Sequence, residues 1–187
     1  MKNKVFILHG CPSSEKEELE QTYAKHWMPW AERRLVERGY EVVRPMMPEP
    51  WAPNYGAFKA EFEKNDIPND AILVGHSCGA AFLVRWLGDI KHTASKLILV
   101  APWKIPDGDD AGRKEYYGYE IDTAIPQRVP DIVMFTSDTE EDNGKESVKI
   151  FHEALGGKLI ELKNKGHYTL DEMGTEELPE LISEIVK

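Results

Sequence analysis

Gly75-His76-Ser77-Cys78-Gly79 is the stretch of this chain whose residue types and spacing most plainly permit chemistry. Gly-x-Ser-x-Gly is the pattern of a nucleophile elbow, a sharp turn from a strand into a helix. Its glycines serve that turn, because larger neighbours would clash with backbone held in a strained conformation. The strain holds the serine hydroxyl out where a base and a carbonyl can reach it. The context matches. The short apolar run Ala71-Ile72-Leu73-Val74 reads as a buried strand, and Ala80 to Leu87 reads as a helix.

A serine hydroxyl needs a general base near neutral pH. That base is usually a histidine held in one tautomer by a carboxylate. With an elbow of this type the chain order is serine, acid, histidine. His167 follows the last predicted strand, in Lys163-Asn164-Lys165-Gly166-His167, and is the expected base. His76 adjoins the nucleophile, so its side chain points away from Ser77. His9 ends the first strand and shapes a loop, with a place in substrate binding as its functional reading. His92 and His152 fall on helices, and His26, beside Trp27, reads as packing or pocket lining. The acid should follow the fifth strand, where Asp138, Glu140, Glu141 and Asp142 stand close together. Asp138 is first after the strand and is the expected acid, with Asp142 and then Glu140 behind it. An oxyanion requires two fixed N–H donors. The expected pair is the N–H of Cys78, after the nucleophile, and that of Cys11 in the loop His9-Gly10-Cys11-Pro12.

These residues need a scaffold, and the hydrophobic pattern supplies one. Short apolar runs at Val5–Leu8, Tyr40–Arg44, Ala71–Val74, Lys96–Ala101, Ile132–Phe135 and Lys158–Leu162 read as strands. Helical patterns alternate with them at Leu19–Arg38, Asn54–Lys64, Ala80–Leu87, Gly144–Leu155 and Leu178–Val186. Pro29 marks a kink or a second start in the first helix, and Gly39 its end. Alternation of this kind implies a parallel sheet of about six strands with helices on both faces, an α/β fold. The segment 102–128 breaks the rhythm. It holds Trp103, Tyr116, Tyr117 and Tyr119, too many aromatic residues for a linker, and reads as an ordered lid or pocket wall.

Composition narrows the function classes. The chain has 187 residues, 41% hydrophobic and 30% charged, as expected for one globular domain spanning 1–187. Its net charge of −10, without a basic run, disfavours nucleic acid and anionic membranes as partners. Two cysteines, Cys11 and Cys78, make no disulfide framework. They read as small buried apolar residues of a protein kept in a reducing compartment. The apolar run after the basic N-terminus is too short for a signal peptide, so a cytoplasmic location is expected. No spacing suggests zinc, a dinucleotide or a phosphate loop. The acidic loop departs from a calcium loop at Asn143 and Lys149, so neither metal nor cofactor is expected.

Taken together, Val5-Phe6-Ile7-Leu8-His9-Gly10, His26-Trp27-Met28-Pro29-Trp30, the elbow through Ala80, and Gly166-His167 resemble one family. It is the small serine hydrolases grouped with retinoblastoma-binding protein 9 and the bacterial YdeN-type proteins. The resemblance covers nearly the whole chain, and the His-Trp-x-x-Trp stretch is its most discriminating part. It implies a compact α/β-hydrolase without a large cap domain. It also implies a Ser-Asp-His triad, which falls on Ser77, Asp138 and His167. One departure concerns the acid. The family usually has paired acids and then a proline-containing turn after the fifth strand, whereas here Asp138-Thr139-Glu140 stands and no proline follows.

The expected activity is hydrolysis of a small ester, thioester or amide through an acyl-enzyme, by a monomer or small homo-oligomer. Trp27, Trp30, Trp51 and Trp103 are candidates for pocket lining, each with core packing as the alternative. The competing reading is a hydrolase-like fold used as a protein-binding module with little turnover.

Overall fold

In the computed structural model, residues 4–17, 26–106 and 108–187 are described. Six strands form one sheet: β1 Lys4–Leu8, β2 Glu41–Val43, β3 Ile72–His76, β4 Lys96–Val100, β5 Asp131–Ser137 and β6 Lys158–Leu162. Their order is β2-β1-β3-β4-β5-β6, and every neighbouring pair is parallel. The register sets Leu8 beside Gly75, His76 beside Val100, and Val100 beside Phe135. The carboxyl ends of β1, β3, β4 and β5 therefore share one edge, where open α/β sheets carry their sites.

The four central strands, β1, β3, β4 and β5, are buried on both faces, and their side chains alternate between two cores. Phe6, Leu8, Leu73, Leu97, Leu99 and Met134 enter one. Val5, Ile7, Val74, Ile98, Val100, Val133 and Phe135 enter the other. Helices α3 Tyr55–Phe62, α4 Cys78–Ile90 and α6 Asp142–Leu155 cover the first core through Phe58, Phe62, Phe82, Trp86, Phe151 and their neighbours. Helices α2 Trp27–Val36 and α8 Pro179–Ile185 cover the second through Trp27, Leu35, Leu181 and Ile185. Short helices α1 Glu15–Glu17, α5 Ala111–Tyr117 and α7 Leu170–Met173 complete the chain.

The first expected helix falls partly on residues 18–25, outside the described residues. Its described part starts at Trp27, so Pro29 occupies the first turn, where a missing N–H leaves no helical bond unmade. This matches a second start, not a kink. Gly39 takes φ +87° just past the helix, as its position implies.

The described residues of the segment, 102–106 and 108–128, form an ordered wall built around α5, a helix too short to show a period. Asp110 caps it, accepting the Arg113 N–H at 2.7 Å. Tyr116 donates its hydroxyl to the Cys78 carbonyl at 3.1 Å, and Tyr119 donates to the Ala81 carbonyl at 2.8 Å. Both phenols thus pin the wall to the start of α4. Among the described residues no helix is long and apolar enough to cross a membrane.

Candidate active site

Ser77 joins β3 to α4 at φ 52°, ψ −120°, outside the conformations ordinary residues adopt. The neighbouring glycines explain how the chain tolerates this. A Cβ on Gly75 would sit 2.6 Å from the Ala80 Cα, and one on Gly79 would sit 2.5 Å from the His9 carbonyl oxygen. Gly10 approaches from β1, and a Cβ there would lie 3.2 Å from that of Ser77. The elbow therefore packs tightly against the loop after β1.

The Ser77 hydroxyl donates to His167 Nε2 at 2.8 Å. Nδ1 of the same ring donates to Glu140, at 3.0 Å to Oε2 and 3.2 Å to Oε1. A carboxylate, an imidazole and a hydroxyl thus form one hydrogen-bonded line in the chain order the elbow requires. The Glu140 side chain is almost wholly buried, at 1% exposure, and His167 is at 20%. Burial at that level keeps water from competing for the carboxylate.

The carboxylate on His167 is therefore Glu140 and not the expected Asp138. Asp138 continues the sheet, donating its N–H to the Leu162 carbonyl at 3.1 Å. Its exposed carboxylate accepts the Asn164 N–H at 2.7 Å instead. Reaching the ring takes the two further residues and the longer side chain of Glu140. Asp142, the second expectation, is the first residue of α6 and exposed. A signal for Glu140 was present in Gly144, one helical turn ahead. A Cβ there would meet the Glu140 carboxyl carbon at 2.6 Å, so glycine makes the room.

The strand end of β5 also builds the loop that carries His167. Asp138 holds the Asn164 N–H, Ser137 Oγ accepts that of Lys165 at 2.9 Å, and Thr139 Oγ1 accepts that of Gly166 at 3.0 Å. Glu172 of α7 then accepts the His167 N–H at 2.8 Å. Four consecutive backbone donors are satisfied by side chains. Asn164, Gly166 and Tyr168 all take positive φ, at 54°, 50° and 60°, so this cradle holds a strained loop.

Behind the serine lies a second layer of imidazoles. His76 is fully buried and contacts the rings of His26 and His167, with centroids 5.0 and 5.2 Å away. Burial above all, then neighbouring positive charge, pushes His76 well below the usual histidine range and His26 down to about 3. Neutral His76 donates from Nε2 to the His167 carbonyl at 2.8 Å. Its role is to steady the loop of His167, which the sequence did not reveal.

A cleft of about 270 Å³ opens over Ser77 and His167. Trp103, Tyr117, Leu170 and Arg113 are among its walls, with Glu141 and Asp171 as acids. Of the expected lining residues, His26 and Trp103 are there, the Trp103 ring edge-on to His167 at 5.1 Å. Trp27 and Trp30 are buried in the core beneath the other sheet face, because α2 turns them toward the strands. Trp51 is not among the cleft residues, though its carbonyl accepts from Arg113 at 3.3 Å. His9 is buried beneath the loop, where its Nε2 accepts the Met47 N–H at 3.0 Å and Nδ1 donates to the Gly10 carbonyl at 2.8 Å. It shapes the loop and does not line the cleft.

Cys11 lines the cleft, and Cys78 follows Ser77 at the first position of α4. Among the described residues neither N–H has a hydrogen-bond acceptor. Their side chains do not lie apart as two separate small apolar groups. They form a disulfide, with Cα atoms 5.6 Å apart.

Similarities to solved structures agree with this architecture. The YdeN gene product of B. subtilis superposes with a TM-score of 0.82 at 22% identity, over 100% of both chains. An esterase domain from Rhodothermus marinus gives 0.64 at 16% identity, covering 98% of this chain and 87% of that one. Est1E from Butyrivibrio proteoclasticus, seen with bound ferulic acid, gives 0.66 at 12% identity, covering 99% and 90%. At such identities these likenesses establish the fold, that of the α/β-hydrolases. No curated protein sequence matches significantly. A profile described as serine hydrolase aligns with residues 7–186, nearly the full length, and the chain belongs to that serine hydrolase family.

Proposed function

We propose that this serine hydrolase cleaves a small ester, thioester or amide through an acyl-enzyme, with Ser77, His167 and Glu140 as its triad. The line of hydrogen bonds from Glu140 through His167 to Ser77 carries the reading. Ser77 Oγ attacks the carbonyl carbon while His167 Nε2 takes its proton. Glu140 holds the tautomer in which Nε2 is free to accept, and stabilises the imidazolium that forms. The N–H groups of Cys11 and Cys78, without an acceptor among the described residues, receive the oxyanion. His167 returns the proton to the leaving group, and water repeats the sequence to release the acid.

The cleft volume lies near the lower end of small-molecule sites, which favours a compact acyl group. Trp103 and Tyr117 offer it apolar walls. Labelling with a fluorophosphonate probe, read by mass spectrometry, tests the reading. One probe per chain should attach to Ser77 and none to Ser77→Ala. Folded protein that takes no label, or label that persists in Ser77→Ala, contradicts it.

A further inference from the structure

We infer that the Cys11–Cys78 disulfide positions the oxyanion hole, so that turnover depends on whether the bond is oxidised or reduced. The inference rests on the hydrolase reading of the site. The bridge joins the two residues whose N–H groups face the oxyanion in that reading, and it does so across 67 positions of sequence. Cys78 is fixed already, as the first residue of a buried helix. Cys11 is not, because residues 9–12 form no regular secondary structure.

Other ties hold the loop up to Gly10. His9 bonds to Gly10 and Met47, and Gly79 packs under the His9 carbonyl. At Cys11 itself the tie is the disulfide, with partial burial of the side chain against the core. An oxyanion donor works only when aimed to within about half an ångström. The disulfide supplies that aim by anchoring Cys11 to the residue that carries the other donor. Cys11 also lines the cleft, so a small dithiol can reach the bond.

Reduction is a balanced exchange. A dithiol such as dithiothreitol gives two electrons and two protons, the S–S bond becomes two thiols, and the reagent leaves as its cyclic disulfide. Both backbone N–H groups survive, so the hole loosens without losing a donor. Removing a donor outright costs roughly 10²–10³ in kcat. The expected loss here is smaller, about 10-fold in kcat, with KM changed by less than about 2-fold because ground-state binding does not use the hole.

The test uses the whole chain with a p-nitrophenyl ester, at a temperature well below the melting midpoint of either form. Thiol titration first counts the free cysteines. The oxidised protein should show none and turn over, while the reduced protein should show two and lose kcat. An alkyl boronate, whose tetrahedral adduct places an oxygen in the hole, should bind the reduced form about 10-fold more weakly. The product acid should bind both forms alike. Cys11→Ala/Cys78→Ala should match the reduced protein and ignore dithiothreitol. Two free thiols in air-oxidised protein, or equal kcat and boronate affinity in both forms, would overturn the inference and leave the triad standing. No turnover by either form would overturn the hydrolase reading as well.

Discussion

Ser77 occupies backbone that costs on the order of 1–3 kcal/mol to hold. Local bonds offset that cost: its N–H reaches the Val100 carbonyl at 3.0 Å, and its own carbonyl takes the N–H groups of Ala80 and Trp103 at 3.1 and 3.3 Å. His167 is held with similar care, and here Asp138 has a role other than the one its position suggested. By anchoring the Asn164 N–H it holds the loop of His167 without touching the ring. Asp138→Ala should therefore lower kcat several-fold with little change in KM, and lower the melting midpoint by a few degrees. Steady-state kinetics with parallel thermal melts check both, and a KM effect alone would assign Asp138 to substrate binding. Ser77 and His167 were legible because an elbow and a histidine after the last strand are fixed by topology. The carboxylate bonded to His167 was not, because four carboxylates in five residues compete and only side-chain reach distinguishes them. The disulfide was also hidden, since two cysteines 67 residues apart say nothing about distance until β1 and β3 are known to be neighbours.

At the scale of elements, α6 and the loop after β5 together set where the Glu140 carboxylate lies. Gly144 sits in the first turn of α6 against the Glu140 carboxyl group. Gly144→Ala should displace that carboxylate and cut kcat by about 10-fold or more. Moving a buried carboxylate is overpacking that costs about 1–3 kcal/mol, more than the roughly 1 kcal/mol at most that alanine gains as a helix former, so the melting midpoint should fall by a few degrees. Lost activity in a protein that stays folded well above the assay temperature would be the signature, and unchanged kcat would show that Glu140 can shift without consequence. The strands and the long helices were readable from apolar period alone. The segment 102–128 was readable only as ordered, through its aromatic content. Its helix has seven residues and takes its place from tyrosine hydroxyls that reach α4, a tertiary cause with no periodic trace.

For the whole molecule, the buried imidazoles link stability to pH. Burial keeps His9, His26 and His76 neutral in the fold, with His26 at about 3. Unfolded histidines titrate near 6.5. Below that value the unfolded chain binds protons that the folded one refuses, so acid favours unfolding. The stabilising contribution is complete above about pH 6.5 and is lost as pH falls through it, at about 1.4 kcal/mol per pH unit for each such histidine. His26 and His76 alone lose about 2 kcal/mol each by pH 5, so the melting midpoint there should lie about 8–16 °C below that at pH 7.5, and a flat profile would show that the cluster is not held neutral. The arrangement these layers support is one line of hydrogen bonds ending on Glu140. The most direct test is the kcat of Glu140→Gln beside that of Asp138→Asn on one p-nitrophenyl ester. Gln favours the wrong tautomer of His167, and kcat should fall by about 10²–10⁴. Asn at 138 can still accept the Asn164 N–H, so kcat should stay within a few-fold of wild type. Near-normal turnover in Glu140→Gln together with collapse in Asp138→Asn would contradict the account.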